Sequence, residues 1–188
     1  GNLLSIQSTD FASGAGDIIT LTAGTNAVIG GAGADEITAG AGDNTILGDD
    51  GQAEFFANGD LRLIESINLG VGADDQITLS DGTNSVIAGF GNDNITVGAG
   101  TNFVFGDEGR REVLTDSGGN PTGTTQVNSL NGAVGGQDQI TVGTGYNVVA
   151  GGADIDTITV NGTIPTARGI VLGDNGQMTL DNSGNLLS

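Results

Sequence analysis

Aspartates return to one register of a nine-residue repeat along this chain, and they are the side chains best placed to do chemistry in it. Asp17, Asp35, Asp75, Asp93, Asp138 and Asp156 share one register, and the blocks between them carry Asn26, Asn44, Asn84, Asn102 and Asn147 at the same place. Stacked one above another, two carboxylates repel by about 1 kcal/mol in water at a few ångströms, and several-fold more in a drier edge. A hard dication between them reverses that sign, taking carboxylate and main-chain carbonyl oxygens as ligands. The asparagines offer neutral oxygens and can instead form an amide ladder. Strong cation sites are therefore expected on the aspartate edge, and weak or absent ones on the other. The plainer alternative is that the aspartates only cap turns; their segregation from the asparagines argues against it.

A second set of carboxylates marks the longer period. The tetrapeptide Gly-Asp-(Asp/Glu/Asn)-Gly begins at Gly48, Gly106 and Gly173. Asp49, Asp107 and Asp174 are thus candidates for further ligands, with Asp50 and Glu108 beside them, or for an ordinary turn. Catalytic chemistry has little to work with: there is no histidine or cysteine, so no nucleophile–base pair of the usual kind can be assembled. No catalytic residue and no organic cofactor site is expected, and the chain is not read as an enzyme.

The elements that position the aspartates follow from spacing. An aliphatic residue sits two places after each repeated Asp or Asn: Ile19, Val28, Ile37, Ile46, Ile77, Val86, Ile95, Val104, Ile140, Val149 and Ile158. A four-residue expansion between Asn161 and Arg168 disturbs the last step, after which Gly169 and Val171 resume it. Nine residues cannot close on themselves, so two blocks make one flattened coil of strand, turn, strand, turn. The aliphatics then point inward and their neighbours outward. The 36 glycines suit the turns. Six coils stacked at about 4.8 Å advance roughly 29 Å. The fold class expected is all-β: a parallel β-roll or β-solenoid with two nonapeptides per coil and three inserted β-hairpins.

Hairpins are expected at about 48–69, 106–132 and 173–188, where Asn58-Gly59, Gly118-Gly119 and Ser183-Gly184 supply turn signals. Ser8, Ser66 and Ser129 each stand nine residues before an aspartate. Outward positions of the asparagine blocks read Ile29, Leu47, Ile87, Phe105, Ala150 and Leu172, an apolar column that needs cover. The hairpins, with Phe55, Phe56, Leu61, Leu63 and Leu114, could supply it, or a neighbouring chain could. Outward positions of the aspartate blocks read Thr20, Thr38, Thr78, Thr96, Thr141 and Thr159. A flat threonine array raises an ice-binding reading, but the column beside it is irregular.

Charge and ends narrow the partners. Twenty-three acidic residues against four arginines give a formal net charge of -19. Such a surface disfavours nucleic acid and anionic lipid and attracts cations. No apolar run approaches the roughly 18 residues of a membrane span, so no membrane insertion is expected. Residues 184–188 repeat residues 1–5, Gly-Asn-Leu-Leu-Ser, an offset of 183. The whole chain thus reads as one continuous solenoid, about one period of a longer tandem array, with the last hairpin continuing into residues 1–11 of the next period.

The block Gly30–Thr38 fits G-G-x-G-x-D-x-U-x at every specified position. In this it resembles the RTX, or haemolysin-type, calcium-binding repeats of secreted bacterial proteins. The resemblance implies a parallel β-roll, Ca²⁺ as the bound ion, type I secretion and folding outside the cell. By position it implies that the aspartates, with carbonyls around Gly31, Gly33, Gly89 and Gly91, are the ligands. Two departures stand out: asparagine in every second block, and the regular hairpins. Asp154 also stands where a turn glycine is expected.

Together these features point to an extracellular or cell-surface calcium-stabilised structural repeat: a fibre, surface-layer, matrix or adhesin-stalk element. Its expected partners are calcium and copies of itself, end to end and laterally. The alternative is a folding and secretion module of a type I secreted toxin or hydrolase, with ice binding a lesser one. Metal binding is expected to be part of the folding free energy.

Overall fold

The computed structural model describes residues 1–11, 14–162 and 168–188. The irregular step after Asn161 falls largely on 163–167, outside the described residues. Eighteen strands and no helix are found among the described residues, arranged as three six-stranded sheets.

Two sheets form the solenoid. The aspartate sheet stacks Ile18–Leu21, Glu36–Ala39, Gln76–Leu79, Asn94–Val97, Gln139–Val142 and Thr157–Val160, all parallel and in register. The asparagine sheet stacks Asn26–Ile29, Gly42–Leu47, Gly82–Ile87, Gly100–Phe105, Gly145–Gly152 and Arg168–Asp174 in the same way. Equivalent residues of the repeat lie directly over one another, Ile37 on Ile77 and Asn84 on Asn102. A one-residue slip would turn every inward aliphatic outward, which is why the nine-residue spacing fixes the register.

Between these sheets lies a narrow core. The eighth-position aliphatics are its spine, with Ile37, Ile46, Ile77, Ile95, Ile140 and Val149 fully buried. A second inward column, not evident from the eighth positions alone, adds Ala39, Leu79, Val97 and Val142 at the ends of the aspartate-sheet strands. Each such Val, Leu or Ile contributes about 1.5–3 kcal/mol when removed from water.

The third sheet is made of the inserts. Gly51–Phe55 pairs with Leu61–Ser66, and Gly109–Thr115 with Pro121–Ser129, as antiparallel hairpins. The hairpins then pair with each other: Arg110 opposes Glu65, and Val127 opposes Met178 of Gln177–Leu180. Ser5–Gln7 closes one side against Gly51–Phe55. This continuous sheet lies over the outer face of the asparagine sheet, burying Leu47, Ile87, Phe105 and Ala150 against Ala53, Ile64, Val127, Met178 and Leu180. The apolar column is therefore covered from within the chain. Each hairpin spans two strand spacings, and so do the two coils between successive hairpins, so all three layers advance together.

The expected serines join the layers at each step. Ser8, Ser66 and Ser129 Oγ accept the main-chain N–H of Gly51, Gly109 and Gly176, at 3.1, 3.2 and 3.2 Å. Those glycines close the Gly-Asp-x-Gly marks, so one hydroxyl fixes where each hairpin leaves the coil. The outer face of the hairpin sheet is polar, with Arg110 between Glu65 and Glu112, and Arg62 between Glu54 and Glu112. Beneath it the Arg111 guanidinium lies 4.2 Å above the Phe103 ring.

Candidate metal centre

The repeated aspartates are brought into one buried row. Asp35, Asp75, Asp93 and Asp138 are each 2–3% exposed, while Asp17 and Asp156 are more open at the two ends. One oxygen of each carboxylate is committed to the backbone. Asp35 Oδ1 accepts the N–H of Asp17 at 2.7 Å, and the pattern repeats coil by coil. Asp75 takes the N–H of Asp35, Asp93 that of Asp75, Asp138 that of Asp93 and Asp156 that of Asp138, at 2.7 to 3.0 Å. The other oxygen has no such partner. Oδ2 of Asp35, Asp75, Asp93, Asp138 and Asp156 is buried without a hydrogen bond.

A buried, unpartnered carboxylate oxygen is costly. Burial is the main reason these carboxyls titrate high, partly offset by the N–H each accepts; neighbouring carboxylates raise them further. Asp75 is pushed up to about 7, Asp138 to about 8 and Asp93 to about 10, and Asp35 and Asp156 are also raised. Five such oxygens in a row, matched by no protein donor, are acceptors that a bound cation would satisfy.

The space beside them is shaped by glycine at the first position of the repeat. A Cβ at Gly30 would overlap both Asp35 Oδ2 and the carbonyl oxygen of Gly48 in the next coil. The same holds at Gly48 for Asp75 Oδ2 and Ala88 O, at Gly106 for Asp138 Oδ2 and Gly151 O, and at Gly151 for Asp156 Oδ2 and Gly173 O. These carbonyls are only half used. Gly48 O accepts one N–H from Gly31, Ala88 O one from Asp49 and Gly151 O one from Asp107, leaving a second lone pair on each. One carboxylate oxygen with carbonyl oxygens around it is a hard, oxygen-only donor set, which fits Ca²⁺. Among the described residues no three acidic side chains converge; the donors are shared between side chain and main chain.

The glycines expected to lend carbonyls lie in these same turns. Gly31 and Gly89 have φ of 107° and 119° and donate their N–H to Gly48 O and Gly106 O at 2.9 and 3.1 Å. Gly33 and Gly91 press on the preceding coil, where a Cβ would overlap the backbone of Ala15 and Ala73. The first-position carbonyls of Gly48, Ala88, Gly151 and Gly173 are not among the sequence-based candidates. The small residue that opens each of these turns is the available signal. Asp154, at the expected glycine, has φ of 67° and is exposed.

Asp49 and Asp107 are also buried, but their oxygens are occupied. Asp49 accepts the N–H of Ala73 at 3.3 Å and of Phe90 at 2.6 Å. Asp107 accepts those of Gly136, at 2.9 Å, and Ala153. Each carboxylate thereby ties two successive turns together. Burial again dominates their titration, pushing Asp49 up to about 9 and Asp107 to about 7. Beside them, Asp50 Oδ2 accepts from Asn68 at 3.2 Å, and Glu108 accepts from the Gly70 N–H. Asp174, the third of the set, is exposed.

On the opposite edge the asparagines satisfy one another. The side-chain N–H of Asn26, Asn44, Asn84 and Asn102 donates to the amide oxygen of the next asparagine at 2.8 to 2.9 Å. Each also donates to a carbonyl four residues back, as Asn84 does to Ser80 O at 3.2 Å.

A family model for the RTX calcium-binding nonapeptide repeat matches four copies, over residues 20–52 and 78–112. The chain carries RTX calcium-binding nonapeptide repeats. These repeats bind calcium ions and build a parallel β-roll, the architecture of the two solenoid sheets described above. The matched stretches contain Asp35 and Asp93 with the turns around them. No curated protein and no solved structure matches the chain.

Proposed function

We propose that this chain is an extracellular structural element, a length of fibre, surface layer, matrix or adhesin stalk, that calcium makes rigid. The observation that carries this reading is the row of unpartnered Oδ2 atoms running from Asp35 to Asp156 along the solenoid. A row of that length suits stiffening of a rod. Calcium is held by the carboxylates of Asp35, Asp75, Asp93, Asp138 and Asp156 together with the first-position carbonyls, and Asp17 contributes the same donor at its end. Ion binding offsets the repulsion in the row, so it is part of the folding free energy. The polar network on the outside of the hairpin sheet favours a solvated flank.

Circular dichroism of the chain in excess chelator, followed by calcium titration, tests this. Loss of strand signal in chelator and its cooperative return with calcium is the expected result. Equal strand content in both conditions would sink the reading. A folding and secretion module would carry the same repeats and is favoured by the family match itself. Electron micrographs in calcium separate the two: filaments fit a structural element, isolated globules a secretion module.

A further inference from the structure

Each end of the solenoid lacks what the other end displays. Within the molecule, Asp49 reaches into the turns at Gly72 and Gly89, lying where a Cβ on either would stand, and Asp107 does the same at Gly135 and Gly152. Both are buried, at 5% and 2% exposure. Asp174 is the third residue in this register, yet it is exposed and its carboxylate has no hydrogen bond among the described residues. The matching socket is at the far end. By the same register it comprises Gly14, Gly31 and the N–H groups of Ala15 and Ala32. A Cβ at Gly31 would meet nothing within 4 Å.

The aspartate row shows a second complementary pair. Each aspartate from Asp35 to Asp156 accepts the N–H of the aspartate before it, but Asp17, the first, is exposed. At the other end Gly173 has nothing within 4 Å of its would-be Cβ, although Gly30, Gly48, Gly106 and Gly151 are each closed over by an Oδ2 and a carbonyl oxygen. Apolar side chains are open at both ends too: Leu3 and Leu4 at 49% and 61%, Leu186 and Leu187 at 57% and 59%.

We propose that the C-terminal end face of one copy seats the N-terminal end face of a second copy of this chain, with Asp174 entering the Gly14–Gly31 socket. In the same contact Asp17 of the second copy closes over Gly173 of the first and accepts the Asp156 N–H. The occupant is a second copy because the contacts continue those already made between coils, residue type for residue type. Residues 184–188 repeat residues 1–5, so a chain of residues 1–183 followed by 1–188 carries one Gly-Asn-Leu-Leu-Ser at the junction. The joint rests on the structural-element reading and gives it a defined geometry.

A two-copy chain, residues 1–183 followed by 1–188, tests the joint in saturating calcium. Gly173→Val in the first copy fills the space that Asp17 must occupy. Valine is used because Ala88 shows that a methyl is tolerated at this position. It is expected to lower Tm by roughly 4–10 °C or to split the melt in two. The same substitution at the free end, or in the single chain, is expected to change Tm by less than about 1 °C, because a Cβ there meets nothing within 4 Å and the position is exposed. Asp174→Ala should repeat this internal-against-terminal difference without adding bulk. Equal effects at both positions, or none at the internal one, would overturn the joint. Strand content of the single chain in chelator decides the calcium reading separately, so the two failures cannot be confused.

Discussion

The two edges of the solenoid use the same turn position and differ by one functional group. On the asparagine edge each side chain from Asn44 to Asn147 both gives and receives: Asn84 donates to Asn102 and to Ser80 O, and accepts from Asn44. On the aspartate edge each side chain from Asp35 to Asp156 receives once and leaves Oδ2 bare. Replacing an amide NH₂ by a second oxygen thus turns a self-sufficient ladder into a conditional one. In the folded chain one edge is satisfied by its own side chains; the other waits for an ion. A chain built this way keeps a template for its fold while making the finished fold depend on its surroundings.

Acidification in chelator is the broadest way to break the contrast. The raised carboxyls, including Asp75 at about 7, Asp138 at about 8 and Asp93 at about 10, keep protons in the folded chain that the unfolded chain releases above about 4. Stability without calcium is therefore greatest near pH 4 and falls as pH rises through about 7 to 10. Strand content in chelator, followed by circular dichroism from about pH 9 down to about 4.5, should rise; a flat profile would contradict the buried row. With calcium present the dependence reverses, because the ion needs the carboxylates deprotonated.

Asn84→Asp is the sharpest single test. It removes the donors to Asn102 and Ser80 and places a charge at a fully buried site, at a cost of about 3–5 kcal/mol measured by denaturant melts in calcium. The reverse exchange, Asp75→Asn, should go the other way in chelator. It keeps the acceptor for the Asp35 N–H and puts a donor beside Ala88 O, stabilising the calcium-free chain by on the order of 1–3 kcal/mol. Isothermal titration should at the same time find fewer ions bound. Arg62→Ala, on the outer hairpin face and off both edges, should cost less than about 1 kcal/mol with and without calcium alike.

Much of this is legible in the sequence because the repeat aligns chemistry with geometry. Two steps of nine place Ile37 beside Ile19 and Ile95 beside Ile77 without any structural knowledge, and the outward column of Leu47, Ile87 and Phe105 demands a cover. What escapes depends on neighbours that spacing does not encode. Ser66 is conspicuous by position, but its partner, Gly109 N–H, belongs to the next insert and meets it only because successive hairpins pair edge to edge. The carbonyls beside Oδ2 fall a residue or more from the expected glycines, because main-chain oxygens carry no side-chain signature. Ala39, Leu79, Val97 and Val142 are hard to see as core because they border the stretch that reads as turn.

The matched advance of the three sheets has a consequence for how such a chain can grow or shrink. One added coil would lengthen the solenoid by a single strand spacing while the hairpin layer stood still, leaving a dislocation where Ser66 and Gly109 must meet. The lattice stays perfect only if two coils and one hairpin come or go together. Length is therefore quantised, and the smallest admissible edit is a whole unit measured from one Gly-Asp-x-Gly mark to the next.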